Sequence, residues 1–176
     1  MATMRLDMTN IVLFLILGAA IAADLRWRKI PNWLTGPAIL AGLGLHAFMS
    51  QWTGLVISLE GAALGLGLFL IMYVFGWMGA GDVKLYAAVG SFLGPVQTLS
   101  TAMAIALVGG LLALVILGFH QGWRKTGLWL SSYFQTLLLM RSVQELAPVQ
   151  GTTPKVPYAV AIGLGTIGSY WWYPLG

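Results

Sequence analysis

Residues 83–119 form an almost uninterrupted apolar run, with Lys84 as the one charged side chain in it. As a single helix this run would be about 55 Å long at 1.5 Å per residue, against a hydrocarbon core of about 30 Å. It must therefore fold back, and Gly94-Pro95 is the place for the reversal. The rest of the chain has the same character. Of its 176 residues, 59% are hydrophobic and 8% are charged, whereas soluble domains carry roughly 25% charged residues. The bilayer is thus the expected solvent. A single polytopic membrane domain over residues 1–176 is expected, with no room for a separate soluble domain.

Seven of the nine Lys and Arg, all but Arg5 and Lys84, fall in segments between apolar runs, so they read as topology determinants facing anionic lipid, not as a nucleic-acid surface. Arg5 and Asp7 precede the first run, at residues 11–23, and Arg26, Arg28 and Lys29 follow it. Positive residues stay cytoplasmic, so the first helix runs from outside to inside. That flank pattern also argues against a cleaved signal peptide, although Ala20-Ile21-Ala22-Ala23 resembles a cleavage site. The expected helices are 9–24, 33–49, 55–77, 83–93, 96–119 and 158–172. The fold class is an all-α integral membrane protein with about six transmembrane helices and both termini outside. Gly61-x-x-x-Gly65 would allow close helix approach. Residues 126–145 place Leu128, Leu130, Phe134, Leu137 and Leu138 among polar residues at helical spacing. They read as an amphipathic helix on the cytoplasmic surface.

Five acidic residues exist: Asp7, Asp24, Glu60, Asp82 and Glu145. An ionisable residue in hydrocarbon-buried sequence is costly and reads by default as functional. Asp24 ends the first apolar run and Asp82 precedes the fourth, so loop charges put both at the cytoplasmic face. Taken alone, Asp82 reads as a helix N-cap. Two carboxylates at one depth read as a pair. Closely placed, they cannot both ionise, and a shared proton lets the dyad act as base and acid at once. The ionised member takes a proton from water while the protonated member donates to a carbonyl oxygen. Peptide hydrolysis needs those two roles. Gly79 and Gly81 would let an extended peptide pass beside Asp82.

The other polar residues carry less. Glu60 lies nearer the outer face, where packing or hydrogen bonding is its expected role. His46 and His120 sit at opposite helix ends and read as interfacial, and no cysteine exists, so no metal or other cofactor is expected. The tryptophans mostly mark expected interfaces.

Gly79-Ala80-Gly81-Asp82 opening a helix, followed by Val83-Lys84-Leu85, resembles the active-site signature of the intramembrane aspartic peptidases that process type IV prepilins. Asp24 ahead of Arg-x-Arg-Lys-Ile-Pro-Asn and Lys155-Val156-Pro157-Tyr158-Ala159-Val160-Ala161 before the last helix match in the same order. The resemblance implies removal of a short basic leader from pilin-like precursors with a hydrophobic N-terminal helix, at the cytoplasmic face of the bacterial inner membrane. It implies Asp24 and Asp82 as catalytic, with Lys84, Pro157 and Tyr158 near the site. The larger family members also N-methylate the new terminus and carry a domain with paired Cys-x-x-Cys motifs. The absence of cysteine and of room between the first two helices sets this chain apart from them, and it looks like the short branch serving Flp pili of tight-adherence systems. Two other readings use the same residues: a proton-coupled transporter, since carboxylates also serve proton relays, and a non-catalytic pilus assembly factor.

Overall fold

The computed structural model describes residues 8–76, 78–122 and 158–172. Regular structure among the described residues is helical throughout: α1 (Met8–Trp27), α2 (Asn32–Val74), α3 (Ala80–Gln121) and α4 (Tyr158–Trp172). Among the described residues, three segments are long and apolar enough to cross a membrane: α1, α2 and the Ala80–Ile116 part of α3.

Both long elements fold back on themselves. In α2 the backbone leaves helical geometry at Ser50 and at Gln51, where φ is 52°. Ser58 Oγ donates to the Ser91 carbonyl at 2.6 Å, and Gly42 also packs against Ser91. In a straight helix residues 42 and 58 would stand about 24 Å apart, so one neighbour for both requires a hairpin. In α3 the reversal falls at Gly94, with φ 73° and ψ 173°, directly before Pro95. Tyr86 Oη donates to the Thr98 carbonyl across this turn, a pair that a straight helix would separate by about 18 Å. Glycine alone takes that φ without strain, and proline supplies no N–H to continue the first arm.

The arms pack through small residues, as helices must when lipid offers no hydrophobic drive for association. A Cβ on Gly61 would overlap the Gly90 carbonyl, and one on Gly65 would stand 2.7 Å from the Tyr86 carbonyl. The expected close approach at Gly61 and Gly65 is therefore made backbone to backbone. Phe69 stacks on Tyr86 with ring centroids 4.0 Å apart. On α1, Asn10, Leu13, Leu17, Ala20 and Ala23 are buried at three- and four-residue steps along one stripe. α4 lies antiparallel to α1, with Tyr170 Oη donating to Asn10 Oδ1 at 2.8 Å. It also packs on the second arm of α3, where Thr101 Oγ1 donates to Ser169 Oγ at 2.9 Å. Leu15, Leu40, Phe48, Leu107 and Leu111 are exposed on the periphery, the surface expected of a protein solvated by lipid. Trp27, Trp33 and Trp52 are exposed at helix ends and the α2 turn, as interfacial tryptophans are.

Element bounds differ from expectation where caps decide them. α1 continues to Trp27 because the Arg28 N–H still bonds the Asp24 carbonyl at 2.7 Å, and it stops as Arg28 takes φ 50°. α3 begins at Ala80 instead of residue 83 because Gly79, extended at φ −83° and ψ 154°, is the N-cap. The expected amphipathic helix at 126–145 lies outside the described residues.

Candidate active site

Asp24 occupies the last turn of α1. The chain then turns through residues 28–31 and starts α2 behind Pro31, whose ψ of 144° is extended. Within this turn Ile30 is buried and lies against the start of α3. A Cβ on Gly81 would stand 3.1 Å from Ile30 Cβ and 3.2 Å from the Ile30 carbonyl oxygen. Hydrogen at position 81 is what lets the two segments meet.

Asp82 is the third residue of α3, not the N-cap that its sequence position suggests. Its side chain reaches back to accept the Gly79 N–H at 3.1 Å through Oδ2. This satisfies one of the donors that a helix start leaves unpaired. Asp24 is held differently: the Ala159 N–H, at the start of α4, points to Asp24 Oδ2 at 3.4 Å. The first turn of α4 thereby turns a free donor and its positive end toward that carboxylate.

The two carboxylates stand at the same end of the bundle, within range for the Asp24 charge to act at Asp82, and Asp82 in turn acts on Tyr158. Both aspartates and Tyr158 are half-buried. Arg28 acts on Asp24 from the turn. Lys84 does not point to the dyad: its Nζ donates to Asn32 Oδ1 at 2.9 Å, tying the start of α3 to the start of α2. α1, α2, α3 and α4 therefore meet at one end of the bundle, and all the described candidate residues lie there. Gly79 packs against Asp82 itself, with a would-be Cβ 3.2 Å from Oδ2. Pro157 lies outside the described residues.

The remaining polar candidates stand elsewhere. Glu60 is exposed on the second arm of α2. His46 Nδ1 lies 3.2 Å from the Gly42 carbonyl of its own helix.

Three parts of the site were not singled out from the sequence. Ile30 as the partner of Gly81, the Ala159 N–H as the partner of Asp24, and Asn32 as the partner of Lys84 all depend on which elements meet. A signal existed for all three, since Ile30 and Asn32 stand in the string following Asp24 and Ala159 follows Pro157-Tyr158. Chemically, two partly buried carboxylates on separate elements, each anchored through one oxygen by a main-chain N–H, have the inventory for paired acid and base work.

A model of the type IV leader peptidase family matches residues 11–141. No curated protein and no solved structure matches the chain. The family match covers α1 from residue 11 onward and all of α2 and α3, with both aspartates inside it. This apolar chain, whose described residues form helices, belongs to the type IV leader peptidase family.

Proposed function

We propose that the chain is a membrane aspartic endopeptidase that cleaves the leader from Flp-type prepilin precursors at the cytoplasmic face, with Asp24 and Asp82 as its dyad. The observation that carries this reading is the placement of the two aspartates, from α1 and α3, at the one end of the bundle where α4 begins, Asp24 accepting the Ala159 N–H and Asp82 the Gly79 N–H. One carboxylate removes a proton from water, and the oxygen attacks the scissile carbonyl carbon. The other, protonated, donates to the carbonyl oxygen, giving a tetrahedral intermediate. Its collapse breaks the C–N bond: the proton taken from water goes to the leaving nitrogen, and a hydroxyl proton of the intermediate returns to the second carboxylate as the carbonyl re-forms, so the dyad ends with the one proton it began with. Gly79 leaves the α3 start without a side chain where an extended peptide would pass, and Gly81 shapes the site by admitting Ile30 against that start. Tyr158 lines the same end, and Lys84 fixes the α3 start to α2. All of this sits in one polytopic domain with six spans: α1, two arms each of α2 and α3, and α4.

Co-expression with a Flp-type precursor in bacterial membranes tests the reading. The expected result is a shortened precursor whose mass places the cut directly before its apolar helix. An unprocessed precursor in the presence of the wild-type chain contradicts it, and would leave transport or assembly as the role of the aspartates. Because the chain has no cysteine, single cysteines at Ser131 and Lys155 report topology, and labelling of both from the cytoplasmic side is expected.

A further inference from the structure

A groove of about 250 Å³ opens between α1 and α4, lined by Phe14, Leu17, Gly18, Ile21, Gly163 and Ile167. Its walls lead to the dyad. Leu17, Ile21 and Asp24 follow one another at four- and three-residue steps on α1, and Ala159, Gly163 and Ile167 at four-residue steps on α4. Such steps keep side chains on one face of a helix. The two stripes converge where the Ala159 N–H meets Asp24 Oδ2. Along α1 the lining of this apolar track runs from Phe14 to Ile21, a rise of about 10 Å or two turns, and Asp24 stands about one turn beyond it. The groove is open to the periphery, since Gly18 and Ile167 are exposed. A Cβ on Gly18 would meet nothing within 4 Å. At Gly163 the wall is tight, with a would-be Cβ 2.6 Å from Ile21 Cδ1.

We propose that this groove seats the apolar helix of the precursor, entering sideways from the bilayer and delivering the bond at its end to Asp24 and Asp82. The inference rests on the peptidase reading given above. Charge decides the occupant. An anionic lipid whose acyl chain filled the track would bring its phosphate toward two carboxylates, which is unfavourable. A peptide brings an apolar stretch followed by neutral amides at that point. Helix-in-groove recognition reads side chains at helical spacing, and the exposed Gly18 allows the approach of a further helix.

The test fills the track. Gly18→Leu adds a side chain where there is open space, so the fold is undisturbed. The expected result is a KM for the full precursor raised about tenfold with little change in kcat, the signature of lost uniform binding. A soluble peptide that spans the cut but lacks the apolar helix should be cleaved by wild type and Gly18→Leu alike. Leu107→Trp, on the outer surface of α3, is the control and should leave KM for the precursor unchanged. In the second arm, Gly18→Cys and Ile167→Cys, each combined with Asp82→Asn to retain the precursor, should form disulfides with cysteines placed along the precursor's apolar helix. Leu107→Cys should not. An unchanged KM in Gly18→Leu, or disulfides formed equally from Leu107→Cys, overturns the proposal while leaving the peptidase reading intact. If the wild type cleaves neither substrate, that reading fails and this inference falls with it.

Discussion

Gly81→Ala is the substitution whose outcome the geometry determines most closely. The new methyl would lie 3.1 Å from Ile30 Cβ, 3.2 Å from the Ile30 carbonyl oxygen and 3.4 Å from its nitrogen. Those distances are short of van der Waals contact by a few tenths of an ångström, and two of the three atoms are backbone. Ile30 has little freedom to retreat, being buried between Arg28 at φ 50° and the ring of Pro31. Overpacking of this kind costs about 1–3 kcal/mol, while exchanging glycine for alanine in a helix returns up to about 1 kcal/mol. The net loss of stability is therefore about 0–3 kcal/mol, and the protein stays folded. Activity is more sensitive. The displaced turn begins four residues after Asp24, and a misplacement of about 1 Å at a reacting group can cost about 100-fold. A shift of a few tenths of an ångström should lower kcat by about tenfold. The assay is precursor cleavage in detergent or vesicles alongside a thermal melt, with Gly67→Ala as control, since nothing lies within 4 Å of a Cβ there. A Gly81→Ala enzyme with wild-type kcat would refute the claim that the Ile30 contact sets the position of Asp24 relative to Asp82.

Gly61→Ala and Gly90→Ala each place a methyl into the other residue's carbonyl, so each should destabilise by about 3 kcal/mol or more, read as a lowered melting temperature and poor recovery from membranes. Lys84→Met and Asn32→Ala each break the 2.9 Å bond between the starts of α3 and α2. The pair is exposed, so a double-mutant cycle should give a coupling of about 0.2–1 kcal/mol in stability, with cleavage retained in all three variants.

Much of the bundle was legible because hydrocarbon length leaves few choices. The reversal at Gly94-Pro95 follows from a run too long for one crossing, and the structure turns there. The reversal near Gln51 was expected between residues 49 and 55 and occurs at Ser50 and Gln51. Helix ends were less legible. Whether α1 stops at Asp24 or Trp27 depends on one N–H to carbonyl bond and one positive φ at Arg28, neither of which has a sequence marker. The same limit moved Asp82 from the cap position to the first turn of α3. That Asp24 and Asp82 share one end followed from loop charges. Their anchoring by Ala159 and Gly79, and the groove between α1 and α4, depend on packing between elements far apart in sequence, which periodicity does not encode.

The dyad itself is tested most directly by exchanging each carboxylate for its amide. Asp24→Asn and Asp82→Asn keep size and polarity and remove the exchangeable proton, and each is paired with a co-expressed precursor in membranes. The account predicts that both variants accumulate to wild-type levels and that neither yields the shortened precursor on a gel. Continued cleavage by either variant would contradict the two-carboxylate mechanism. In that event Asp82 would have only its bond to the Gly79 N–H, a structural role at the start of α3.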